Sequence, residues 1–264
     1  MDLQLKNKIA FISGSTAGIG FAIAKRLLTE GARVFINGRT KESVDKAVQE
    51  LKAVSGNANV SGIAADFSKV DEVNKLINEL PGVDILINNA GIFEPKPFEK
   101  IPDEDWFRFF EVNVMSGIRL SRHYFPKMLE KNWGRIIFIS SESAVFIPGE
   151  MIHYGMTKTA QLAISRGLAE LTMGTNVTVN SILPGPTRSK GVGGFIEDLS
   201  KAGNISVNEV EKDFFNNMRP TSLLQRFASV EEIADTVVYF SSPLASATNG
   251  ASIRADGGLI RSIL

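Results

Sequence analysis

Cysteine is absent from this sequence of 264 residues. Without thiols the chain cannot build a disulfide framework, a thiolate nucleophile or a thiolate metal site. Histidine is almost as scarce, because only His123 and His153 are present. Two imidazoles leave little for a transition-metal site, so we expect no metal ion.

Long apolar runs and an excess of one charge are also missing. No run reaches the length of about 18 apolar residues that a membrane helix needs. The first residues, MDLQLKNKIAF, lack the apolar segment of a signal peptide. The 29 basic and 29 acidic residues cancel to a formal net charge of zero. We therefore expect a cytoplasmic protein with no membrane and no nucleic-acid partner.

The sequence does contain apolar runs that alternate with helical patterns. Strands that are apolar almost throughout are typical of a parallel sheet covered by helices on both faces. We predict an α/β fold with one doubly wound parallel sheet of about seven strands, in a single domain over residues 1–264. The predicted strands cover residues 8–13, 33–37, 60–65, 83–88, 134–140, 176–183 and 251–254. The predicted helices cover residues 21–30, 41–54, 69–80, 102–131 with a break near Pro126, 152–171 and 230–240.

A long connection over residues 184–226 interrupts this alternation. Connections of that length are usually functional or mobile. We interpret residues 186–226 as a partly helical substrate lid. Its apolar residues are Val192, Phe195, Ile196, Leu199, Phe214, Phe215 and Met218.

Three glycines, Gly14, Gly18 and Gly20, lie between the first predicted strand and its helix. In that context a glycine-rich turn lets the backbone approach a pyrophosphate at a helix N-terminus. The first two glycines are further apart than in the common dinucleotide fingerprint. A plain tight turn is the alternative, and Ser15 and Thr16 between the glycines make it the weaker one.

The second predicted strand ends in Asn37-Gly38-Arg39. At this point dinucleotide folds place an acidic residue against the ribose of NAD, or an arginine against the 2′-phosphate of NADP. No carboxylate is present here, and a guanidinium can bind a phosphate through paired hydrogen bonds. Arg39 is either that phosphate ligand or a solvated loop residue.

Two further polar groups follow predicted strands. Asp66 could accept a hydrogen bond from an adenine amine, or cap the helix that follows it. Asn88-Asn89-Ala90-Gly91 closes the fourth strand, where side-chain amides can hold neighbouring backbone beside a flat ligand. Both lie at C-terminal ends of strands, where open α/β sheets bind ligands.

Tyr154 and Lys158 are one helical turn apart in a predicted helix and therefore share a face. A neighbouring ammonium stabilises an ionised phenol. The pair is thus a candidate proton donor and acceptor for an alcohol or carbonyl. Taken alone, the same spacing also fits a packed ring beside a solvated amine.

Together these motifs resemble the short-chain dehydrogenase/reductase family. The matching motifs are Gly14-x-x-x-Gly18-x-Gly20, Asn88-Asn89-Ala90-Gly91, Asn113, Ser141, Tyr154-x-x-x-Lys158, Pro184-Gly185 and Asp256-Gly257-Gly258. They occur in the family's order over nearly the whole chain. The resemblance implies a Rossmann-type, dinucleotide-binding catalytic domain. It also implies hydride transfer between NADP(H) and a carbonyl or secondary alcohol, without a metal.

The family's catalytic roles transfer to four residues. Ser141 would hydrogen-bond the substrate oxygen; we choose it over Ser140 because it has the family's spacing to the tyrosine. Tyr154 would be the acid and base, and Lys158 would hold the nicotinamide ribose and favour the tyrosinate. Asn113 would position a water that links Lys158 to solvent.

The resemblance also implies the cofactor-binding residues. They are Gly14, Ser15, Thr16, Gly18, Ile19, Gly20, Asn37, Gly38, Arg39, Asp66, Phe67, Asn89, Ala90, Gly91, Tyr154, Lys158, Pro184, Gly185 and Thr187. Gly38 occupies the family's NAD-selecting acidic position, so NADP(H) is favoured and NAD(H) remains possible. The first glycine turn lacks the second basic residue that NADP-preferring members often carry. Binding of the 2′-phosphate would therefore depend on Arg39, with Asn37, Ser15 and Thr40 as helpers.

The predicted substrate pocket suggests a small carbonyl or alcohol substrate with a partly apolar body. Its expected apolar walls are Phe146, Ile147, Met151, Phe195 and Met218. Glu94 and Glu142 could add polar contacts or face solvent, and we favour solvent for Glu94.

The remaining aromatic residues bear on assembly. Trp106, Phe107, Phe109 and Phe110 form a dense patch that is either core or the interface of a homotetramer or dimer. His153 lies roughly 100° around the helix from Tyr154, which indicates packing or an interface rather than catalysis.

A non-catalytic dinucleotide sensor or scaffold is the alternative function, since fold alone does not decide between it and an enzyme. The complete catalytic set favours an enzyme.

Overall fold

The computed structural model describes residues 1–56 and 59–263, without the side chains of Lys190, Phe195, Leu199 and Ala202. Its centre is a seven-stranded sheet in the order β3-β2-β1-β4-β5-β6-β7. All paired strands are parallel. The strands are β1 Ile9–Ile12, β2 Arg33–Gly38, β3 Val60–Ala64, β4 Ile85–Asn88, β5 Gly134–Ile139, β6 Val177–Pro184 and β7 Ser252–Ala255. The predicted seven-stranded parallel sheet is confirmed, with bounds that shift by one or two residues.

Burial explains why the strands read as continuous apolar runs. Every residue of β4, β5 and β6 is buried, because helices cover both faces of the central sheet. The edge strand β7 instead has exposed and partly buried residues in alternation. The hydrophobic pattern of a strand's sequence therefore indicates whether one or both of its faces are covered by helices.

Helices lie on both faces of the sheet, and each face has its own core. One core includes residues of α1, α2 and α9, and the other includes residues of α3, α5 and α6. The helices are α1 Gly18–Thr29, α2 Lys41–Ser55, α3 Val70–Glu79, α4 Asp103–Phe110, α5 Ser116–Glu130, α6 Ile152–Glu170, α7 Lys190–Gly203, α8 Val207–Asp213 and α9 Val230–Phe240. In the described part of the chain, none of them is long and apolar enough to cross a membrane.

The break in the long predicted helix was placed wrongly. Pro126 lies inside α5, whereas the interruption is a π-helical turn over Glu111–Met115. That turn holds Asn113, whose side chain bonds both the N–H and the C=O of Ile92. Such π-turns often occur at functional sites. Here the bulge presents the asparagine amide to the loop after β4.

The long connection is more helical than its weak periodicity indicates. It contains α7, α8 and a π-turn over Phe214–Met218. Ile196, Val210, Phe215 and Phe227 form a small core of their own, separate from the two cores of the sheet. The segment starts and ends close together, because Thr187 and Ala228 form a parallel bridge.

Candidate active site

The predicted site residues meet at the C-terminal ends of the parallel strands. β1 lies between β2 and β4, so the direction of strand order reverses there. Such a switch point is where open α/β sheets bind ligands. A cavity of about 440 Å³ opens beside it, and its walls come from the ends of β4, β5 and β6 and from the long connection.

The glycine turn needs glycine at three positions, either for the backbone conformation or for lack of space. Gly14 and Gly18 both have φ of +60°, which favours glycine. A Cβ atom on Gly20 would lie 2.6 Å from Nδ2 of Asn89 and 2.8 Å from the backbone oxygen of Gly14. The turn leads directly into the N-terminus of α1 at Gly18. Free backbone N–H groups at that helix end fit a pyrophosphate.

Two predicted helpers of the 2′-phosphate are already engaged by the backbone. Asn37 is buried and donates to the carbonyls of Ile63 and Ala65 at 3.1 and 3.2 Å. Its Oδ1 accepts from the N–H of Gly14 at 3.1 Å. The Ser15 hydroxyl donates to the carbonyl of Ile12 at 2.7 Å. These side chains hold the turn in shape and do not extend toward solvent.

The end of β2 leaves Arg39 exposed. Asp66 lies close enough for its carboxyl to be affected by the positive charge of Arg39. Burial opposes ionisation of Asp66, but hydrogen bonds from Ser68 and the nearby Lys69 outweigh it and hold the pKa below its usual value. The alternative role of Asp66 as a helix cap is wrong, because Lys69 is the N-cap of α3.

Side chains after β3 and β4 mostly shape the backbone. Phe67 packs in a core of the sheet, so only its main chain is available to a ligand. Asn89 donates from Nδ2 to the backbone oxygens of Ser13 and Gly14 at 3.0 and 2.8 Å. The N–H of Ala90 donates to the Ser13 hydroxyl at 2.9 Å. The expectation that amides here hold neighbouring backbone is thus met.

Ser141, Tyr154 and Lys158 line the same cavity. Ser141 is hydrogen-bonded to Tyr154, and the Lys158 ammonium lies 5.6 Å from the centre of the tyrosine ring. Lys158 donates from Nζ to the carbonyl of Ile139 at 2.9 Å. Serine, phenol and ammonium therefore face one space, as the sequence motif predicts.

Burial dominates the ionisation of this group. It raises the pKa of Tyr154, helped by the Glu142 carboxylate and opposed by the hydrogen bond with Ser141. It lowers the pKa of Lys158 to about 8, against the effect of Glu142. The low-dielectric surroundings, rather than the charge of Lys158, therefore dominate the pKa of Tyr154 here.

Gln161 is a site residue that sequence reasoning missed. Its Nε2 donates to the backbone oxygen of Asn113 at 2.6 Å, and its Oε1 accepts from Lys158 at 3.3 Å. The side chain therefore bridges Lys158 to Asn113, the residue that the resemblance expects to position a water linking Lys158 to solvent. Gln161 follows Lys158 by three positions and so shares its helix face, which was the available signal.

Glu142 is buried in the cavity wall, so of its two alternatives the one in which it faces solvent is wrong. It accepts a hydrogen bond from Ser141, and its Oε1 lies 3.7 Å from Nε of Arg219, a residue that sequence reasoning also missed. Arg219 bonds Glu150 as well, at 3.2 Å. Burial raises the pKa of Glu142, while Ser141 and Arg219 oppose the rise. Glu94, in contrast, pairs with Arg108 outside the cavity.

The residues predicted to contact the nicotinamide line the cavity, but only some of the predicted apolar wall residues do. Pro184, Gly185 and Thr187 line the cavity, and a Cβ on Gly185 would meet the backbone of Asp256 at 2.6 Å. Met151 and Met218 line it too. The prediction for Phe146 and Ile147 is wrong, because both are about half exposed and neither lines the cavity. The side chain of Phe195 lies outside the described part of the chain.

The aromatic patch divides into core and surface. His153 is fully buried, with its ring centroid 4.1 Å from that of Phe109 and 5.9 Å from that of Trp106. It is a packing residue, as one of the alternatives supposed. Phe107 is 75% exposed and Phe110 is 39% exposed. Over the described residues, no cluster of His, Asp and Glu suits a metal ion.

Comparisons with known proteins agree with this geometry. A family model described as short chain dehydrogenase matches residues 8–199. The chain is 52% identical to the uncharacterized oxidoreductase YvrD of Bacillus subtilis, with both chains covered completely. It is 32% identical to 3-oxoacyl-[acyl-carrier-protein] reductase FabG of Aquifex aeolicus, over 98% of this chain and 100% of the relative.

A solved structure extends the likeness to the whole fold. L-sorbose reductase of Gluconobacter frateurii, in complex with NADPH and L-sorbose, superposes with a TM-score of 0.93 at 30% identity over 100% of both chains. The family match and these identities exceed what a shared fold alone would require. The chain belongs to the short-chain dehydrogenase family and is an NAD(P)-dependent oxidoreductase that transfers hydride between the dinucleotide and a carbonyl or alcohol substrate.

Proposed function

We propose that this protein is an NADPH-dependent carbonyl reductase in which Tyr154 is the proton donor. The observation that carries the proposal is a shared cavity. Ser141, Tyr154 and Lys158 line it together with Asn89 and Gly185, which the resemblance assigns to the cofactor. A substrate carbonyl in this space would lie beside both the phenol and the nicotinamide site.

The cofactor preference rests on charge at the end of β2. Arg39 is exposed there, and Gly38 offers no carboxylate to repel a phosphate. The similar L-sorbose reductase structure contains NADPH. The dinucleotide would be held by the glycine turn, by Asn89 and Ala90 after β4, and by Lys158. When bound, NADPH supplies the hydride.

The protein residues would handle the proton and the developing charge. Tyr154 keeps its proton at neutral pH because burial raises its pKa. It can therefore donate to the oxygen that becomes an alkoxide. Ser141 would stabilise the same oxygen by turning its hydroxyl from Glu142 to the substrate, and Lys158 would hold the nicotinamide ribose. Asn113 and Gln161 position Lys158 from the side of the π-turn.

A substrate screen tests the proposal directly. NADPH and NADH oxidation would be followed with a panel of aldehydes and ketones, and the reverse reaction with secondary alcohols. We expect turnover of at least one carbonyl, faster with NADPH than with NADH at equal concentration. Absence of turnover from all substrates, in a protein that binds NADPH, would contradict the proposal.

We further propose that residues 186–226 are a lid over the substrate, within one catalytic domain of residues 1–264. Val192, Ile196 and Phe214 of this segment line the cavity. Limited proteolysis tests the lid. We expect cleavage within residues 186–226 in the free protein and protection by NADPH together with substrate. Equal cleavage in both states would indicate a fixed insertion.

We also propose a cytoplasmic homo-oligomer, a tetramer or dimer, with no nucleic-acid partner. The exposed Phe107 and Phe110 support an interface on α4, next to the helix that carries Tyr154. The zero net charge supports the absence of a nucleic-acid partner. The dependence of the enzyme on the cellular pool of dinucleotide supports a cytoplasmic location. Light scattering of the wild type and of Phe107→Lys would test the interface, with a smaller particle expected for the variant.

A further inference from the structure

One wall of the cavity carries buried charges that hydride transfer does not require. Glu142 is 6% exposed and follows Ser141 directly in the chain. One carboxylate oxygen, Oε2, accepts the hydrogen bond from the Ser141 hydroxyl. The other, Oε1, faces Arg219. The carboxylate therefore lies between the Ser141 hydroxyl and the Arg219 guanidinium.

The Nε–H donor of Arg219 is not used. Its Nη atoms bond Glu150 at 3.2 Å, and Nη1 also bonds the backbone oxygen of Met218 at 2.8 Å. Its Nε is buried and has no hydrogen-bond partner among the described residues. A buried N–H without an acceptor is costly, so a ligand that supplies an acceptor would relieve that cost.

The gap between Glu142 and Arg219 suits a single hydroxyl group. Nε of Arg219 lies 3.7 Å from Oε1 of Glu142, which is too long for a direct hydrogen bond. One oxygen atom can stand at hydrogen-bond distance from both atoms across such a gap. It would accept from the guanidinium and donate to the carboxylate. A hydroxyl group has this combination of donor and acceptor.

The charges at this wall of the cavity disfavour a substrate that carries a carboxylate. Glu142 and Glu150 supply two carboxylates, and Arg219 supplies one guanidinium. A substrate carboxylate in the gap would stand at hydrogen-bond distance from the Glu142 carboxylate in a partly buried site, where like charges repel strongly. An uncharged hydroxyl meets no such penalty.

We propose that Glu142 and Arg219 bind a hydroxyl group on the carbon next to the reacting carbonyl. The substrates of this enzyme would then be uncharged α-hydroxy ketones, and its products vicinal diols. Ser141 bonds Oε2 of Glu142 and Arg219 faces Oε1 of the same carboxylate, so a substrate oxygen at Ser141 and a hydroxyl group at Arg219 would be close enough to belong to adjacent carbons. This inference rests on the proposed reductase activity at the same site.

The test compares hydroxyacetone with butanone, which replaces the hydroxyl group by a methyl group of similar size. The quantity measured is the ratio of kcat/KM for the two ketones with saturating NADPH. Intrinsic reactivity differs between the two, but it cancels when the ratio of a variant is divided by the ratio of the wild type. 2,3-Butanedione, which has no hydroxyl group, serves as the benchmark for reductase activity.

The first variant is Glu142→Gln, which keeps the size and removes the charge. Hydrogen bonds to charged groups are stronger than neutral ones by an amount equivalent to roughly tenfold in binding. We expect the hydroxyacetone-to-butanone ratio to fall about tenfold. Reduction of acetoacetate, a ketone with a carboxylate, should rise. The ratio should fall at least as far in Glu142→Gln/Arg219→Met, which leaves no unpaired guanidinium and guards against misfolding of the single variant.

The matched control is Glu94→Gln. It changes the net charge by the same amount, but Glu94 pairs with Arg108 and Lys96 outside the cavity. Its ratio should equal that of the wild type. An unchanged ratio in both Glu142 variants, with butanedione still reduced, would overturn this inference alone. Failure of the wild type to reduce butanedione or any other ketone would overturn the reductase proposal, and this inference with it.

Discussion

The proposed cofactor side and the proposed substrate side of the cleft are built by different means. On the cofactor side, polar side chains bond the protein's own backbone: Asn37 bonds β3, Ser15 bonds β1 and Asn89 bonds the glycine turn. On the substrate side, Glu142 and Arg219 contact other side chains and leave a donor unused. The first arrangement fixes a shape, and the second offers chemical groups to a ligand.

The difference follows from what each side must recognise. The dinucleotide is constant, so backbone N–H groups and close packing suffice for it, and few side chains need to point at it. Substrates vary between relatives, so their side must be set by side chains on loops and on the long connection. Changes on the cofactor side should therefore affect folding and cofactor affinity, and changes on the substrate side should affect turnover.

The largest expected effect is on the substrate side, in Tyr154→Phe. The ring and its packing remain, but the proton is lost, so kcat should fall by about 10² to 10⁴. Binding of NADPH, measured by fluorescence titration, should persist. Tyr239→Phe, on the partly exposed ring of α9, is the control and should keep full activity. Near-normal turnover of Tyr154→Phe would remove this residue from the mechanism.

The next effect is on the cofactor side, in Arg39→Ala. A charge-assisted hydrogen bond contributes about 1.5–3 kcal/mol, equivalent to roughly tenfold to a hundredfold in affinity. The Kd for NADPH should rise by that factor, while the Kd for NADH should change little. Arg33→Ala, at the other end of β2, is the matched control. Equal weakening of both cofactors would show that Arg39 is only a solvated loop residue.

A reversal of this preference needs two changes. Gly38→Asp introduces the carboxylate that favours NAD, but a Cβ at Gly38 would lie 2.5 Å from Cγ2 of Thr16. Thr16→Ser removes that methyl group. We therefore expect the double variant to prefer NADH, and the single Gly38→Asp variant to lose stability as well.

A smaller effect, on the free energy of unfolding, is expected from alanine substitutions of glycines. It distinguishes the glycine turn on the cofactor side from the long connection on the substrate side. Gly20→Ala forces a Cβ into the glycine turn, and overpacking of this kind costs about 1–3 kcal/mol in the free energy of unfolding. Gly191→Ala in α7 meets only open space, so it should change stability by no more than about 1 kcal/mol. Urea denaturation measures both. Equal losses would mean that the two regions are packed alike.

The smallest effect concerns pH. Burial lowers the pKa of Lys158 to about 8, so the ammonium loses its proton as the pH rises through that value. The raised pKa of Tyr154 keeps the phenol protonated over the same range. The kcat/KM for reduction should therefore be about half its plateau near pH 8 and fall above it. Lys158→Arg keeps the cation and should move this alkaline limb upward if it retains activity. A wild-type profile that is flat through pH 8 would contradict the assignment.

Much of the fold could be predicted from sequence because its signals are local. Apolar runs identify buried strands, and the glycine spacing identifies the βα turn. Tyr154 and Lys158 share a helix face because they are four positions apart. The misplaced break at Pro126 shows the limit of such signals. A proline stands out in a sequence, whereas the π-turn at Glu111–Met115 depends on contacts of Asn113 with the loop after β4.

By itself, the sequence determined the alternation of strands and helices, the glycine turn and the pairing of Tyr154 with Lys158. All of these depend on residues close together in the chain, whose spacing sets their geometry. The tertiary structure alone decided that Glu142 is buried, that Arg219 reaches it from the long connection and that Gln161 bridges Lys158 to Asn113. These contacts join residues from separate elements, and only the packing of those elements brings such side chains together.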